Sequence, residues 1–521
     1  MMTGAEALLR TAAGHGARVC FANPGTTEMP LVAALDQVPG IRAVLGLQEN
    51  VCTGAADGYA RIAGLAALTL LHLGPGLANG LANLHNARRA HTPVLNVVGE
   101  HASWHRPYDA PLTSDIAALA GTVGSVHSVK YRAAIAKVTC AAWQDAHARP
   151  GVATMIVPAD FQGDAAPEET PGGEVPLAAL RRRAAPERVE AAAAALRRER
   201  ERAVLLLGGN GLSRAAQRAA DRIAASTGAR LYSETFPFRT ERGGGLPALE
   251  RLAYFPEAAV AALSDSGAVI LAGAAEPVAY FGYPGVPSAL APPGTVRPLA
   301  GPDEDAEHAL ESLAGLVARP GAVGAGTLTA PAPGETPGPD TPLSGPVVGT
   351  ALAAWLPEQA IVSVEGGTCG YPFYAASACG PPHTVLTNTG GAIGQGLPCA
   401  LGAAIAAPGR PVIALQSDGG GLYTAQALWS MGREGCDVVV LIAANHAYGV
   451  LRTELARHGQ NPPGPQATRL TSLDAPRLDW VALAGGYGVA ARRAATVRQL
   501  EQAFRQAVHD GGPHLIEMAI G

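Results

Sequence analysis

The sequence predicts an α/β protein made of three tandem, doubly wound domains, each with a largely parallel sheet. The chain has 521 residues, enough for about three domains of ordinary size. Short apolar runs alternate with helix-length segments, which is typical of parallel strands joined by crossover helices. Stretches rich in Pro, Gly and acidic residues at 164–176 and 327–346 indicate linkers. We therefore expect an N-terminal domain over 1–165, a central domain over 183–326 and a C-terminal domain over 347–521.

The first domain is expected to open with a helix. Thr3 and Glu6 have the spacing of a capping box, and the start of the chain lacks the basic head and long apolar run of a signal peptide. The apolar runs that follow predict strands at 18–22, 43–47, 66–71 and 94–98.

The other two domains repeat this alternation. In the central domain we expect a strand at 203–207, a GGNGLS turn, a helix at 214–225 and a strand at 268–271. In the C-terminal domain we expect strands at 361–364, 411–415 and 438–443. A last helix should follow the cap Thr496 and present the apolar face Val497, Leu500, Phe504, Ala507 and Val508.

Composition excludes several classes of protein. With 48% hydrophobic residues, 16% charged residues and a net charge of −5, the chain does not have the surface of a nucleic-acid-binding protein. Its apolar runs are strand-sized, well short of the roughly 20 residues that cross a bilayer. Seven cysteines without a CxxC pair argue against a disulfide framework and a zinc site. We expect a cytoplasmic protein with reduced thiols and no membrane span.

Two polar residues follow neighbouring predicted strands of the C-terminal domain. Asp418 and Asn445 should lie at the carboxyl edge of the sheet, where ligands bind in such folds. Mg²⁺ prefers oxygen ligands and usually takes only one or two protein carboxylates. Three glycines after Asp418 would let backbone N–H groups approach a diphosphate. The alternative is an ordinary Asp-Gly turn and a capping Asn.

The whole stretch SDGGGLYTAQALWSMGREGCDVVVLIAANHAYG, residues 417–449, resembles the metal and diphosphate motif of thiamine-diphosphate-dependent enzymes. The resemblance implies Mg²⁺ bound by the side chains of Asp418 and Asn445 and the carbonyl of Ala447. It also implies that Gly419, Gly420 and Tyr448 contact the cofactor. Ser417 and His446 depart from the usual motif, and neither departure removes a metal-binding side chain.

Three pieces of the first domain carry a second signature: CFANPGTTEMP, LGLQENVCTGAADGYAR and LLHLGPGLANGLANLHNA. All three are similar to acetolactate synthase and benzoylformate decarboxylase. The resemblance implies that Glu49 hydrogen-bonds the aminopyrimidine ring of the cofactor and promotes its reactive tautomer. It also places Gly25 and Asn79 at the cofactor. From the residues alone, Glu49 could instead stabilise the N-terminus of the following helix.

A third piece, TNTGGAIGQGLPCALGAAIA at 387–406, resembles the segment that holds the cofactor bent. The resemblance implies that Ile393 is the apolar wedge and that the Gly391 carbonyl accepts from the pyrimidine amino group. A buried helix of small residues is the alternative. Upstream, GGTCG at 366–370 follows a strand, so Thr368 is a candidate contact of the diphosphate.

Candidate substrate-binding residues come from the same resemblance. His72 matches a proton-shuttling histidine of benzoylformate decarboxylase, and Thr26 replaces a pocket serine and retains its hydroxyl. A second pocket histidine has no counterpart in EPVAYFGYPG, where Tyr280 or Tyr283 could take its role or the role could be absent. The loop at 99–111 offers His101, Trp104, His105 and Arg106, either to the pocket or to the surface.

The GGNGLS turn at 208–213 is not a complete GxGxxG, and we expect no acidic residue at the end of a second strand there. NAD binding is therefore not predicted. Acetolactate synthases hold FAD in the central domain, but no matching FAD site is evident, so we do not favour FAD.

The predicted activity is thiamine-diphosphate-dependent decarboxylation of a 2-oxo acid, carboligation of the product as in acetolactate synthase, or both. A benzoylformate-decarboxylase-like enzyme that does not ligate is one alternative. A catalytically silent regulatory paralogue is another, although joint retention of Glu49, Asp418 and Asn445 argues against it. In the resembling family the active site lies between two subunits, which implies a homodimer or a tetramer of dimers.

Overall fold

A computed structural model describes residues 2–165, 182–322 and 337–520 and contains three sheets of mainly parallel strands. This confirms the α/β class and the three-sheet architecture. Most of the first predicted linker and residues 327–336 of the second lie outside the described residues. A helix begins at Gly345 and therefore includes the last two residues of the second predicted linker.

The N-terminal sheet has six parallel strands in the order β2-β1-β3-β4-β6-β5. Its strands are β1 (Val19–Asn23), β2 (Arg42–Leu45), β3 (Ala67–Leu71), β4 (Val94–Glu100), β5 (Gly124–Ser128) and β6 (Val152–Pro158). The helices are α1 (Gly4–Gly14), α2 (Met29–Gln37), α3 (Glu49–Ala63), α4 (Leu73–Arg89), α5 (Ile116–Gly121), α6 (Ile135–Ala148) and α7 (Ala159–Gly163). The four predicted strands are confirmed within two residues at each end. The capping box is also present, since Glu6 N donates to Thr3 Oγ1 at 3.2 Å and Thr3 N donates to Glu6 Oε2 at 2.7 Å.

The central sheet has five parallel strands in the order β10-β8-β7-β11-β12. Its strands are β7 (Ala203–Leu207), β8 (Arg230–Ser233), β10 (Glu250–Arg251), β11 (Ala268–Ala272) and β12 (Val296–Ala300). The helices are α8 (Pro186–Glu199), α9 (Arg214–Thr227), α10 (Pro256–Leu263) and α11 (Ala306–Val317). The predicted strand at 203–207 and the helix that starts at Arg214 are confirmed.

The C-terminal sheet has seven strands in the order β17-β18-β16-β15-β13-β14-β9. Its strands are β13 (Ile361–Val364), β14 (His383–Thr387), β15 (Val412–Ser417), β16 (Val438–Ala444), β17 (Ala490–Ala494) and β18 (His514–Ala519). The seventh strand, β9 (Thr240–Arg242), comes from the central part of the chain and pairs antiparallel with β14. The sequence pattern did not predict this exchange.

The helices of the C-terminal part are α12 (Gly345–Trp355), α13 (Gly367–Ala376), α14 (Gly396–Ala406), α15 (Asp418–Gly421), α16 (Ala427–Glu434), α17 (Gly449–Arg457), α18 (Pro465–Thr471), α19 (Trp480–Gly486) and α20 (Val497–Asp510). The last helix is capped by Thr496 as predicted, because the Thr496 side chain accepts from Gln499 N. Its predicted apolar face is correct except at Val508, which is 36% exposed while Ala503 is buried instead. Val508 follows the buried Ala507 directly, about 100° further round the helix, and therefore points away from the core.

Helices α3 and α14 pack closely enough to join the N-terminal and C-terminal sheets into one core. The close approach of the two helices requires glycine at the contact: a Cβ on Gly58 would lie 2.1 Å from Cys399 O, and one on Gly402 would lie 1.9 Å from Ala55 O. Larger residues would push the two helices apart.

The ADGYAR motif links all three parts of the chain through hydrogen bonds. Buried Arg61 makes two hydrogen bonds of 2.8 Å to Asp57 and also donates to the carbonyls of Phe238 and Thr387. Gln395 adds a further hydrogen bond between the N-terminal and C-terminal parts by donating to Asp57 Oδ2 at 2.7 Å. The motif therefore has a structural role in this chain.

The helices and cysteines of the structure bear on two expectations from composition, the absence of a membrane span and the presence of reduced thiols. None of the helices in the described parts of the chain has the length and apolar character needed to span a bilayer. All seven cysteines are free thiols, five of them buried.

Candidate functional site

The candidate metal residues follow adjacent strands. Strand β15 pairs in parallel with β16, with Ser417 opposite Ala443, so Asp418 and Asn445 lie at the same sheet edge. Asp418 is 1% exposed, and its two carboxylate oxygens accept from Gly419 N at 2.8 Å and His446 N at 2.7 Å. The Asn445 amide oxygen accepts from Ala447 N at 3.1 Å.

Burial raises the pKa of Asp418, and the backbone N–H groups of Gly419 and His446 act in the opposite direction. A buried carboxylate that gains no paired charge is costly, and a bound cation removes that cost. The Asp418 environment therefore favours a positive ion beside the carboxylate.

The turn after Asn445 is shaped by two aromatic residues. His446 has φ +53°, a left-handed conformation uncommon for residues other than Gly and Asn, and its Nε2 accepts from Arg477 Nε at 2.8 Å. Tyr448 packs on the glycine turn, because a Cβ on Gly419 would lie 2.4 Å from the Tyr448 ring. The Ala447 carbonyl accepts from Gly449 N at 3.0 Å and keeps a second lone pair.

The structure brings the predicted wedge and the diphosphate turn together. A Cβ on Gly420 would lie 3.6 Å from Ile393 Cγ2, and Ile393 is 43% exposed. Gly391 has φ +79°, and nothing lies within 4 Å of the position its Cβ would take. The turn that leads to Thr368 lies beside the same edge, since a Cβ on Gly366 would be 2.8 Å from Ser417 N.

These residues fit thiamine diphosphate and Mg²⁺. The donor set is one carboxylate and one amide oxygen with a free lone pair on a nearby carbonyl, which suits Mg²⁺ completed by phosphate and water. No group of three or more His, Cys, Asp and Glu side chains in the described ranges could hold a metal, so a zinc-type cluster is not found there. The half-exposed Ile393 side chain beside the glycine turn is available for contact with a ligand.

In the N-terminal part, Glu49 begins α3 and lies close to His72 at the end of β3. Gly76 lies between them: a Cβ there would be 3.4 Å from both Glu49 Oε1 and His72 Cβ. Asn79 donates to Glu49 Oε2 at 3.1 Å, and Gly25 packs directly on the His72 ring. The structure thus brings four of the predicted residues together.

One residue of this group was missed by the sequence analysis. Glu28 is fully buried, and its Oε2 lies 2.8 Å from His72 Nδ1 and accepts from Gly25 N at 2.8 Å. Thr27 donates to the other carboxylate oxygen at 2.5 Å. The TTE sequence at 26–28 is only a weak indication of this role, because an acidic residue at the third position of a turn often serves simply as its cap.

Thr26 and the histidines of the 99–111 loop are less closely involved. Thr26 lies in a short 3₁₀ turn, Thr26–Glu28, and is exposed. The rings of His101 and His105 lie 5.5 Å apart, and Trp104 beside them is 68% exposed. The loop therefore presents aromatic surface to solvent at the carboxyl edge of the first sheet.

The two tyrosines of the central part differ in environment. Tyr280 belongs to an aromatic cluster with Phe236 and Tyr254, whose ring centroids lie 5.2 and 5.3 Å from its own. Tyr283 donates to Glu454 on α17 at 3.1 Å. Tyr371, in the same cluster as Phe236, belongs to α13, so the cluster reaches the Thr368 turn.

The expectation about the GGNGLS turn was wrong in one respect. An acidic residue, Glu234, does follow the second strand β8, and its carboxyl lies against the turn: a Cβ on Gly208 would be 2.7 Å from Glu234 Oε1. Burial raises the pKa of Glu234 to about 8. Sequence pattern missed it because β8 is short and only partly apolar. Dinucleotide sites use an acidic residue after the second strand for the ribose, so Glu234 removes one of the two arguments against such a ligand, and the incomplete GxGxxG remains as the other.

Within the chain, α4 holds the predicted wedge loop. Asn86 Nδ2 donates to Ala392 O at 2.8 Å, and Ala392 N donates back to Asn86 Oδ1 at 3.0 Å. Asn83 Nδ2 donates both to Asn50 O and to Gly394 O, at 2.8 and 3.1 Å. Sequence reasoning did not single out these asparagines.

Comparison with known proteins agrees with this geometry. The chain matches the family model "Thiamine pyrophosphate enzyme, N-terminal TPP binding domain" over residues 2–119. It matches "Thiamine pyrophosphate enzyme, C-terminal TPP binding domain" over residues 367–518. The chain belongs to the family of thiamine-diphosphate-dependent enzymes.

Individual relatives carry the names of acetolactate synthases and of decarboxylases. A protein of Mycobacterium tuberculosis proposed to be an acetolactate synthase large subunit, IlvX, is 49% identical over 100% of this chain and 99% of its own length. Benzoylformate decarboxylase of Pseudomonas aeruginosa is 29% identical over 97% of this chain and 96% of its own length. Among solved structures, the 4-hydroxybenzoylformate decarboxylase of Rhodococcus jostii RHA1 has a TM-score of 0.84 at 24% identity, covering 100% of this chain and 99% of that one.

Proposed function

We propose that the protein is a Mg²⁺- and thiamine-diphosphate-dependent enzyme that decarboxylates a 2-oxo acid. The observation that carries the proposal is the grouping of Glu49 and His72 around Gly76, where one glycine Cβ position lies 3.4 Å from both side chains. An acid and an imidazole at one sheet edge provide the two proton-transferring groups that such a reaction requires. A silent paralogue has no use for both.

At the other end, Asp418 and Asn445 would hold Mg²⁺, the glycine turn would hold the diphosphate, and Ile393 would be the apolar side chain in contact with the cofactor. Bound thiamine diphosphate supplies the electron sink needed to break the bond between carboxyl and carbonyl carbons. Glu49 would hold a proton at the cofactor's ring, with its orientation set by the hydrogen bond from Asn79.

His72 would move a proton at the substrate carbon. With Nδ1–H donated to buried Glu28, the imidazole keeps one tautomer and one orientation, and Nε2 is left to act on the substrate. Exposed Thr26 on the same edge offers a hydroxyl to a substrate carboxylate.

Two outcomes for the decarboxylated product are each favoured by one observation. The 49% identity to the M. tuberculosis protein favours carboligation to a second 2-oxo acid, as in acetolactate synthase. The His72–Glu28 pair favours simple protonation and release, as in benzoylformate decarboxylase. FAD is not favoured for either outcome, because the central part carries no motif that matches the FAD site of acetolactate synthases.

The active site would be shared by two subunits of a homodimer, with Glu49 from one chain and Asp418 from the other. Support comes from large apolar side chains that stay exposed around both groups: Leu47 at 44%, Ile393 at 43% and Tyr423 at 57%. Exposed apolar surface of this kind marks ligand and subunit contacts.

The test is calorimetric titration of purified protein with thiamine diphosphate, with and without Mg²⁺. Wild type should bind only with Mg²⁺, and Asp418→Ala should lose this Mg²⁺-dependent binding, because the diphosphate then meets no bound cation. Asp479→Ala is the matched control, since Asp479 caps α19 and pairs with Arg493 and is not one of the candidate metal or cofactor residues. Unchanged cofactor affinity in Asp418→Ala would refute the assignment. Product analysis with pyruvate, benzoylformate and glyoxylate then separates ligation from release.

A further inference from the structure

Glu365, directly after β13, is a partly buried carboxylate surrounded by N–H groups. Its Oε1 accepts from Gly394 N at 2.6 Å, Gln395 N at 3.3 Å and Asn388 Nδ2 at 3.5 Å. Its Oε2 accepts from Gly396 N at 2.7 Å and from Gln416 Nε2. Three consecutive backbone N–H groups and two side-chain amides therefore converge on one side chain.

The partners of Glu365 belong to two separate segments of the candidate site. The three backbone groups follow the wedge residue Ile393 and open α14. Gln416, on β15, lies two residues before Asp418, and its Oε1 accepts from Ser417 N at 2.8 Å. The two segments are thus tied to each other through one carboxylate.

The packing leaves little freedom for a different arrangement. A Cβ on Gly396 would lie 2.9 Å from both the carboxyl and the Cβ of Glu365. Burial raises the pKa of Glu365, and the donated hydrogen bonds act in the opposite direction. Because each of the five partners is a donor, the ionised carboxylate satisfies all of them, whereas a proton on it would face N–H groups.

We propose that Glu365 is a positioning residue that fixes the distance between the wedge loop and the metal and diphosphate turn. This proposal depends on the proposed function only for the identity of the ligand that the two segments bind. Glu365 itself touches neither reacting atoms nor metal ligands. Its effect is to preorganise both ends of the cofactor site before the cofactor arrives, which lowers the ordering cost of binding.

The test is Glu365→Gln, which keeps the shape of the side chain but turns an NH₂ group toward Gly396 N and Gln416. A hydrogen bond to a charged group is strong enough that its loss should change equilibria roughly 10- to 100-fold. In protein without cofactor, backbone amides at 394–396 should exchange hydrogen faster by about that factor. The calorimetric Kd for thiamine diphosphate with Mg²⁺ should rise by a similar factor.

The matched control is Glu517→Gln, because Glu517 is a buried acid of the same sheet and also accepts a backbone N–H, from Trp480. It should lower the melting temperature without changing exchange at 394–396 or cofactor affinity. If Glu365→Gln behaves like this control, Glu365 is only a structural residue and the proposal is wrong.

Glu365→Asp, which retains the charge, serves if the Gln variant does not fold. It should show intermediate exchange at 394–396, and wild-type exchange in this variant would overturn the proposal. Exchange without cofactor is independent of the proposed function. If wild type binds no thiamine diphosphate while the exchange effect is present, the proposed function fails and the linkage through Glu365 stands.

Discussion

Replacement of Glu234 by Gln should make the protein more stable at alkaline pH and leave its stability at acidic pH nearly unchanged. Glu234 follows β8 and lines a cavity of about 60 Å³ with Gly209 and Asn210. Burial raises the pKa of Glu234 from 4.5 to about 8, and the only opposing influence is a long hydrogen bond of 3.4 Å from Gly209 N. The folded protein therefore keeps this carboxyl protonated over a wide range of pH.

The sign follows from proton binding. Between pH 4.5 and about 8 the folded state holds a proton on Glu234 that the unfolded state has released, so stability falls as pH rises and levels off above about 8. At 1.36 kcal/mol for each pKa unit, the full effect is at most about 5 kcal/mol. Because Glu234 is only half-buried and the cavity can hold water, we expect about 2 to 3 kcal/mol.

The measurement is the melting temperature of wild type and Glu234→Gln at pH 5.0 and pH 8.5. The variant should melt within about one degree of wild type at pH 5.0 and roughly 2 to 3 °C higher at pH 8.5, because in a chain of 521 residues each kcal/mol corresponds to about 1 °C. Glu276→Gln, at an exposed position nearby, should show the same difference at both values. A Glu234→Gln difference that does not grow with pH would show that the carboxyl is ionised in the folded protein.

Three further outcomes follow from the candidate site and its supports. Glu28→Gln should lower turnover more than substrate affinity, by up to the roughly 10²-fold at the low end of acid–base catalysis, because His72 loses its orienting acceptor. Mixing inactive Glu49→Gln and Asp418→Ala chains should restore activity in heterodimers, because one of their two shared sites keeps both native residues. Gly402→Ala should destabilise the protein by about 1 to 3 kcal/mol, because its methyl group would overlap a carbonyl of α3.

Controls decide each of these outcomes. Steady-state kinetics in which Glu28→Gln changes only KM would contradict an orienting role. Heterodimers shown by tagged co-purification that stay inactive would place the whole site within one chain. The control for Gly402→Ala is Gly14→Ala, because open space surrounds the Cβ position of Gly14, and this variant should leave the melting temperature unchanged. Equal melting temperatures for both glycine variants would contradict tight packing.

The sequence allowed prediction of those features that depend on local pattern. Strand β7 is a run of five apolar residues and was placed without error, and Asp418 and Asn445 could be assigned to one edge because each follows such a strand. Short strands such as β8 lack a continuous apolar run. Their positions are set by pairing with distant strands, which a local pattern does not record.

Two acidic residues of the site were missed for a related reason. Glu28 and Glu365 are both single acidic residues next to a strand or turn, and such residues are usually exposed caps. What distinguishes them is the set of partners that the fold brings to them, from 44 residues away for His72 and 51 for Gln416. No spacing rule within one segment contains that information.

Strand β9 has a consequence for how the chain can be divided. It leaves the central part, crosses to the C-terminal sheet and covers the outer edge of β14. A C-terminal fragment produced alone would expose the unpaired backbone of β14, and unpaired sheet edges recruit strands from other molecules. A central fragment would in turn carry a strand without its partner. Limited proteolysis or gene dissection should therefore yield fragments that self-associate, although each sheet looks like an independent folding unit.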